Sequence, residues 1–196
     1  MHNSMKGMTM ANDGQAAIGE HNIPWRALGW GFAVALLLIP FVAMQFTREV
    51  NWTASDFIFA GVVIGGCGLL FELLVRRSGR VAYRLGGAVA VLATFLLVWI
   101  NAAVGIIGSE DNSANLMFLG VILVAFAGAA LARLRPAGMT RAMATAAVAE
   151  LGVGVVALTL GLGANEPPGE LGVQALNGFF VALWALSAWL FRRAAD

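Results

Sequence analysis

LGGAVAVLATFLLVWINAAVGII, residues 85–107, carries no charged side chain and lies between Arg84 and the acidic pair Glu110 and Asp111. About 20 apolar residues in helical form cross a ~30 Å hydrocarbon layer. In that layer no water meets the backbone, so the run must bond its own amides and carbonyls as a helix. The spacing therefore predicts a membrane-spanning helix with basic residues at one end and acidic residues at the other.

Five more runs of the same kind flank it, at about 27–46, 57–75, 116–131, 142–162 and 173–191. Together they predict an all-α fold, a polytopic transmembrane bundle of six spans over residues 25–193. Pro40 lies inside the first run and is expected to kink it or end its regular part. The first run is too long for a cleavable signal peptide and reads as a retained span. Residues 1–24 are polar, lack apolar periodicity and read as a disordered cytoplasmic tail. Composition agrees: 60% of residues are hydrophobic and 12% charged, against roughly 45–50% and ~25% in soluble domains. So few charges cannot cover a soluble globule, and no length remains for a soluble catalytic domain. The lipid bilayer is the partner this composition demands. No basic run interleaved with aromatics points to nucleic acid.

The connections alternate in charge. Arg76, Arg77, Arg80 and Arg84, then Arg133, Arg135 and Arg141, then Arg192 and Arg193 fall on one side of a six-span chain, with Lys6 and Arg26. These are eleven of the twelve Lys and Arg residues; Arg48 is the other. The positive-inside rule assigns that side to the cytoplasm, so both termini are expected there, in a bacterial inner membrane. Trp25, Trp30, Trp52 and Trp189 fall near span ends, where an aromatic belt sits. Two Gly-rich acidic corners, Gly105–Glu110 and Gly161–Glu166, hint at a duplicated hairpin.

Few residues are candidates for chemistry. Glu150 lies nine residues beyond Arg141, or ~13 Å into a helix at ~1.5 Å per residue. Its helical neighbours Met143, Ala146, Ala147, Gly154 and Ala157 are small or flexible, so Glu150 is expected to face the bundle. It reads either as a proton- or cation-binding carboxylate or as a carboxyl bonded to a neighbouring helix. Glu72 lies four residues before Arg76 and reads as its ion-pair partner or as a second polar station. Asn101 and Asn177 are predicted at similar depths, as hydrogen-bonding glue or as part of a polar cavity. Gly61, Gly65 and Gly68 share a face with Glu72, and the Gly61–Gly65 spacing is a close-packing signal. Gly87, Thr94, Asn101 and Gly108 recur every seven residues as a second small stripe, and Gly154 belongs to the Glu150 face.

Metal sites have weak candidates. Glu110, Asp111 and Asn112 are oxygen ligands without the spacing of a calcium loop, and Asn112 or Ser113 equally suits a cap on the fourth helix. Thr53 or Ser55 with Asp56 reads as a cap on the second. His2, Met5, Met8 and Met10 are soft ligands for copper in the tail. Both histidines, His2 and His21, lie outside the spans, which excludes bis-His haem and intramembrane Ser–His chemistry. No span holds a lysine for a Schiff base, and the single Cys67 excludes an intrachain disulfide. No cofactor is expected.

From Trp52 to Arg193 the chain resembles a group of uncharacterised bacterial membrane proteins. The resemblance rests on Trp52-Thr53, Ser55-Asp56-Phe57, Phe71-Glu72-Leu73, the run Val98–Asn112 with Asn115 and Met117, and Asn177-Gly178-Phe179-Phe180. It implies a bacterial multi-pass membrane protein and says nothing of chemistry. With no nucleophile–base set visible, the expected role is non-enzymatic, that of a structural or accessory membrane protein. The alternative is a small proton- or cation-linked transporter or channel using Glu150. Six short spans enclose little volume, so a pore would need a homo-oligomer or a membrane-protein partner.

Overall fold

A computed structural model describes residues 25–196; the expected tail, with His2, Met5, Met8 and Met10, lies outside the described residues. The helices are α1 (Trp25–Phe46), α2 (Ala54–Arg77), α3 (Val81–Ala103), α4 (Leu116–Leu131), α5 (Pro136–Thr159) and α6 (Gly169–Ala195). A short 3-10 turn, Ser113–Asn115, precedes α4. All six, α4 together with its 3-10 turn, are long and apolar enough to cross a membrane. The chain is an all-helical, multi-pass membrane protein.

Local chemistry sets the helix ends. The Thr53 N–H donates to Asp56 Oδ2 at 2.7 Å and opens α2 with a capping box. Pro136 opens α5, where its missing N–H has no intrahelical acceptor to lose. Helix α1 continues through Pro40 to Phe46. Helix α3 ends at Ala103, four residues before the expected boundary. The N–H groups of Val104 and Gly105 both donate to Ile100 O at 3.0 Å, and Gly105 turns left-handed at φ +73°. Glycine stops α3 there because a Cβ in that conformation clashes with the backbone.

The core is built by α3, α4, α5 and α6. Helices α5 and α6 form the most extensive pair, and α6 also backs α3 while α5 backs α4. Trp184, Tyr83, Phe118, Phe180 and Phe191 are fully buried between them. Gly86 lets α3 approach α6: a Cβ there would stand 3.2 Å from the Phe191 ring, and Ser187 Oγ donates to Gly86 O at 2.8 Å. Gly87, one residue on, faces Leu74 of α2. Helices α1 and α2 form an arm at the side of this core, with α1 packed chiefly on α2. The contacts of the arm include Trp30 over Gly68, Phe41 edge-on to Phe57 and the ion pair of Arg26 with Glu72.

Two ends of the bundle differ in chemistry. At one, Arg77 Nη2 donates to Arg133 O (3.3 Å), Arg80 Nη1 to Ala194 O (2.5 Å) and Tyr83 Oη to Leu134 O (2.7 Å). The α2–α3 turn, the α4–α5 corner and the carboxyl terminus thus gather together. At the other end the two Gly-rich acidic corners pack on each other. The Ser109 N–H donates to Glu166 Oε2 (3.3 Å), and Gly163 sits against Gly108 and Ile107.

Candidate functional site

Glu150 is fully buried on α5, among the buried Met143, Ala146, Ala147, Gly154 and Ala157. Its partner is Asn177 of α6, also buried. The Asn177 Nδ2 group donates to Glu150 O at 2.9 Å and lies 3.5 Å from Glu150 Oε1. The other carboxyl oxygen, Oε2, has no hydrogen-bond partner. Trp184, two turns beyond Asn177 on α6, turns its indole N–H toward the same carboxyl without reaching bonding geometry.

Gly154 makes the pair fit. A Cβ at this position would run into the Asn177 side chain. One turn further toward the acidic end, Gln174 Nε2 donates to Gly154 O at 3.1 Å. Two amides of α6 therefore bond two consecutive turns of α5, crossing a small-residue face that only close approach allows. The firm bond across the helices is to the Glu150 backbone carbonyl; the carboxyl approaches Asn177 only through Oε1, at 3.5 Å, and forms no salt bridge among the described residues.

The other intramembrane polar residues are placed apart from this pair. Glu72 lies at the arginine end of α2, where Arg76 Nη2 meets its Oε1 at 2.5 Å and Arg26 meets the same oxygen. Asn101 does not reach Asn177; its Nδ2 bends back to Leu97 O of its own helix at 2.7 Å. Thr94 does the same toward Ala90 O, at 2.9 Å. Such back-bonding gives a polar donor an acceptor within its own helix, but Asn101 Oδ1 stays buried without a partner.

Two of the stripes differ from their expected roles. Gly61 and Gly65 have nothing within 4 Å of where a Cβ would stand, although α1 touches α2 on both sides of them, at Phe57 and at Gly68. Gly108 lies outside α3, in a turn at φ +66°, where a Cβ would collide with the Glu166 side chain. Of the oxygen ligands, Glu110 and Asp111 are exposed, and Asn112 Oδ1 accepts the Ala114 N–H at 3.0 Å to cap the 3-10 turn. Among the described residues no three His, Cys, Asp or Glu side chains come together as a metal site.

Sequence reasoning missed Asn115. It is buried at the start of α4 and holds the loop after α3 from within. Its Oδ1 accepts the N–H groups of Ile106 (3.1 Å) and Ile107 (2.9 Å), and its Nδ2 donates to Ser109 O (2.8 Å). Ile106 and Ile107 are completely buried beneath it. The signal was a polar residue closing a polar corner, which looks the same as a solvated one.

The contact reading of Glu150 sets an expected result. Glu150→Gln retains the size and an oxygen facing Asn177, so unfolding free energy should change by less than about 1 kcal/mol. Glu150→Ala removes the contact and leaves a void, at a cost of roughly 2 kcal/mol or more. Thermal unfolding of both variants in one detergent compares them; equal losses would mean that the carboxyl group itself is required. No known protein family, curated protein or solved structure matches the chain.

Proposed function

We propose that this protein is a non-enzymatic accessory subunit of a bacterial inner membrane, which acts by helix contact with another membrane protein. The carrying observation is that Glu150 closes onto Asn177 inside tight packing, apart from Glu72 and Asn101. A transport path asks for polar stations sharing one hydrated route; here Glu150, Glu72 and Asn101 make separate local contacts and do not contact one another. The α1–α2 arm supplies a surface for the partner. Gly61 and Gly65, between the α1 contacts at Phe57 and Gly68, leave space that no side chain of the bundle fills, whereas Gly86, Gly87, Gly128 and Gly154 meet neighbours within the bundle. Small faces of this kind let a second helix approach closely. The resemblance to bacterial membrane proteins supports the membrane assigned. The cluster of arginines at one end supports its orientation, with both termini cytoplasmic.

The test uses the full chain extracted from its native membrane in mild detergent. Native electrophoresis should show the parent in an assembly larger than a monomer. Gly61→Leu combined with Gly65→Leu should release it as a monomer of unchanged thermal stability. A monomeric parent, or a variant that stays assembled, argues against the proposal. Proton flux into vesicles that disappears in Glu150→Gln would replace it with the transport reading.

A further inference from the structure

A cleft with a volume of about 430 Å³ opens sideways between α2 and α4. Its rim is Leu73 and Phe126, both exposed toward the hydrocarbon. Thr94 of α3, Met143 of α5 and Trp184 of α6 form part of its floor. The Thr94 hydroxyl is committed to Ala90 O, so it adds no free polar group to that floor. At ~30 Å³ for a water-sized group, the cleft holds on the order of a dozen such groups, the scale of one acyl chain.

One end of the cleft is charged. Arg77 and Arg133 line it, at the bundle end where the arginines gather. Among the described residues the carboxylate pairing at this end goes to Arg26 and Arg76, through Glu72. Among the described residues neither Arg77 nor Arg133 is in an ion pair. Arg77 is held in place by its bond to Arg133 O, which occupies one of its five N–H groups.

The corner beneath is built, not slack. Arg133 and Leu134 are consecutive non-glycine residues in the left-handed region, at φ +49° and +57°. Side chains at such positions are uncommon and persist when surrounding contacts hold them. Here the contacts are Arg77 on Arg133 O and the buried Tyr83 hydroxyl on Leu134 O. The bends turn both carbonyls toward α2 and α3 and fix Arg133 at the cleft mouth.

From this juxtaposition we infer that the cleft binds an anionic phospholipid of the surrounding bilayer. One acyl chain lies along the apolar groove, and the phosphate meets Arg77 and Arg133 at headgroup depth. Charge complementarity selects this occupant. A second copy of the chain would have to bring a carboxylate to the mouth, whereas every phospholipid brings a phosphate attached to a chain. Guanidinium groups bind phosphate through paired N–H donors, and a net negative headgroup adds long-range attraction. The inference is independent of the accessory role proposed above.

The experiment uses the full chain in nanodiscs of equimolar phosphatidylglycerol and phosphatidylcholine, released into native mass spectrometry. The parent should retain one tightly held lipid, enriched in phosphatidylglycerol. Arg77→Gln with Arg133→Gln should lower that enrichment roughly tenfold or more. Ala130→Phe, which fills the groove and leaves both arginines, should lose the tight lipid as well. Arg141→Gln with Arg192→Gln makes the same change of charge at the same end, outside the cleft, and should leave enrichment unchanged.

No enrichment in the parent overturns the inference, whatever the variants do. So does an equal loss in the Arg141 and Arg192 control, which would mean general attraction to the basic end. Retention in Ala130→Phe would place the lipid elsewhere, and a dimer that excludes lipid from the cleft would make a second copy the occupant.

Discussion

Asn115→Ala is expected to lower the unfolding free energy by about 3–5 kcal/mol, the largest loss from any single polar residue of the bundle. The side chain is the sole acceptor for two buried amides, those of Ile106 and Ile107. Leaving a buried donor unpaired costs about 1–3 kcal/mol, and here two are stranded at once. The donors to Ser109 O and Ile107 O are lost with them. Nothing can replace them cheaply, because Ile106 and Ile107 are fully buried and water must enter to reach their amides.

The loss should be local before it is global. Hydrogen exchange should speed up first at Ile106 and Ile107, then at the α5–α6 corner that rests on the same loop through Gly163 and Glu166. Asn115→Asp separates the two halves of the side chain's role. It preserves an acceptor for both amides and removes the donors, so it should cost less than the alanine variant. If the two variants unfold alike, the donors to Ser109 and Ile107, not the acceptor, hold the loop.

The same loop shows what could be read in advance and what could not. Length and hydropathy predict six helices because the solvent leaves the backbone no alternative. The arginines at 76–84, 133–141 and 192–193 predict which turns share an end, and the contacts of Arg77 and Arg80 join those turns. Hydropathy fails at residues 104–107, where Val-Gly-Ile-Ile is as apolar as a helix but folds as a loop that buries Gly105, Ile106 and Ile107. The deciding term there is Gly105's left-handed turn together with Asn115, ten residues away, and neither is a periodic signal. Similarity between the two Gly-rich corners was visible; their packing against each other was not, since it depends on how α3 and α5 are placed by α6. At the candidate site the burial of Glu150 followed from its depth and small neighbours. Its partner did not, because Asn101 and Asn177 are predicted at similar depths and only Asn177 faces Gly154. The Gly61–Gly65 spacing predicts a close contact that this chain's own packing does not supply. A spacing rule identifies a face suited to a helix without naming which helix comes.

Gly154→Val should cost about 2–4 kcal/mol, and it tests that pairing more directly than any change to Glu150. A Cβ on residue 154 falls within contact distance of the Asn177 amide, with its Cγ 2.8 Å away. Asn177 is buried between two helices and its Nδ2 is bonded to Glu150 O, so it cannot simply swing aside. Either α6 moves away from α5 along their most extensive contact, or Asn177 gives up its bond. Overpacking of this kind costs about 1–3 kcal/mol, and an interhelical hydrogen bond in a membrane about 0.6 and up to ~2 kcal/mol. Valine also adds bulk where Gln174 reaches Gly154 O. A double-mutant cycle isolates the collision. In an Asn177→Ala background the space is already vacated, so the valine should be tolerated and the coupling energy should reach about 1–3 kcal/mol. Additive losses would mean that residue 154 is sensitive for a reason other than Asn177. The pair would then no longer explain why α5 and α6 meet where they do.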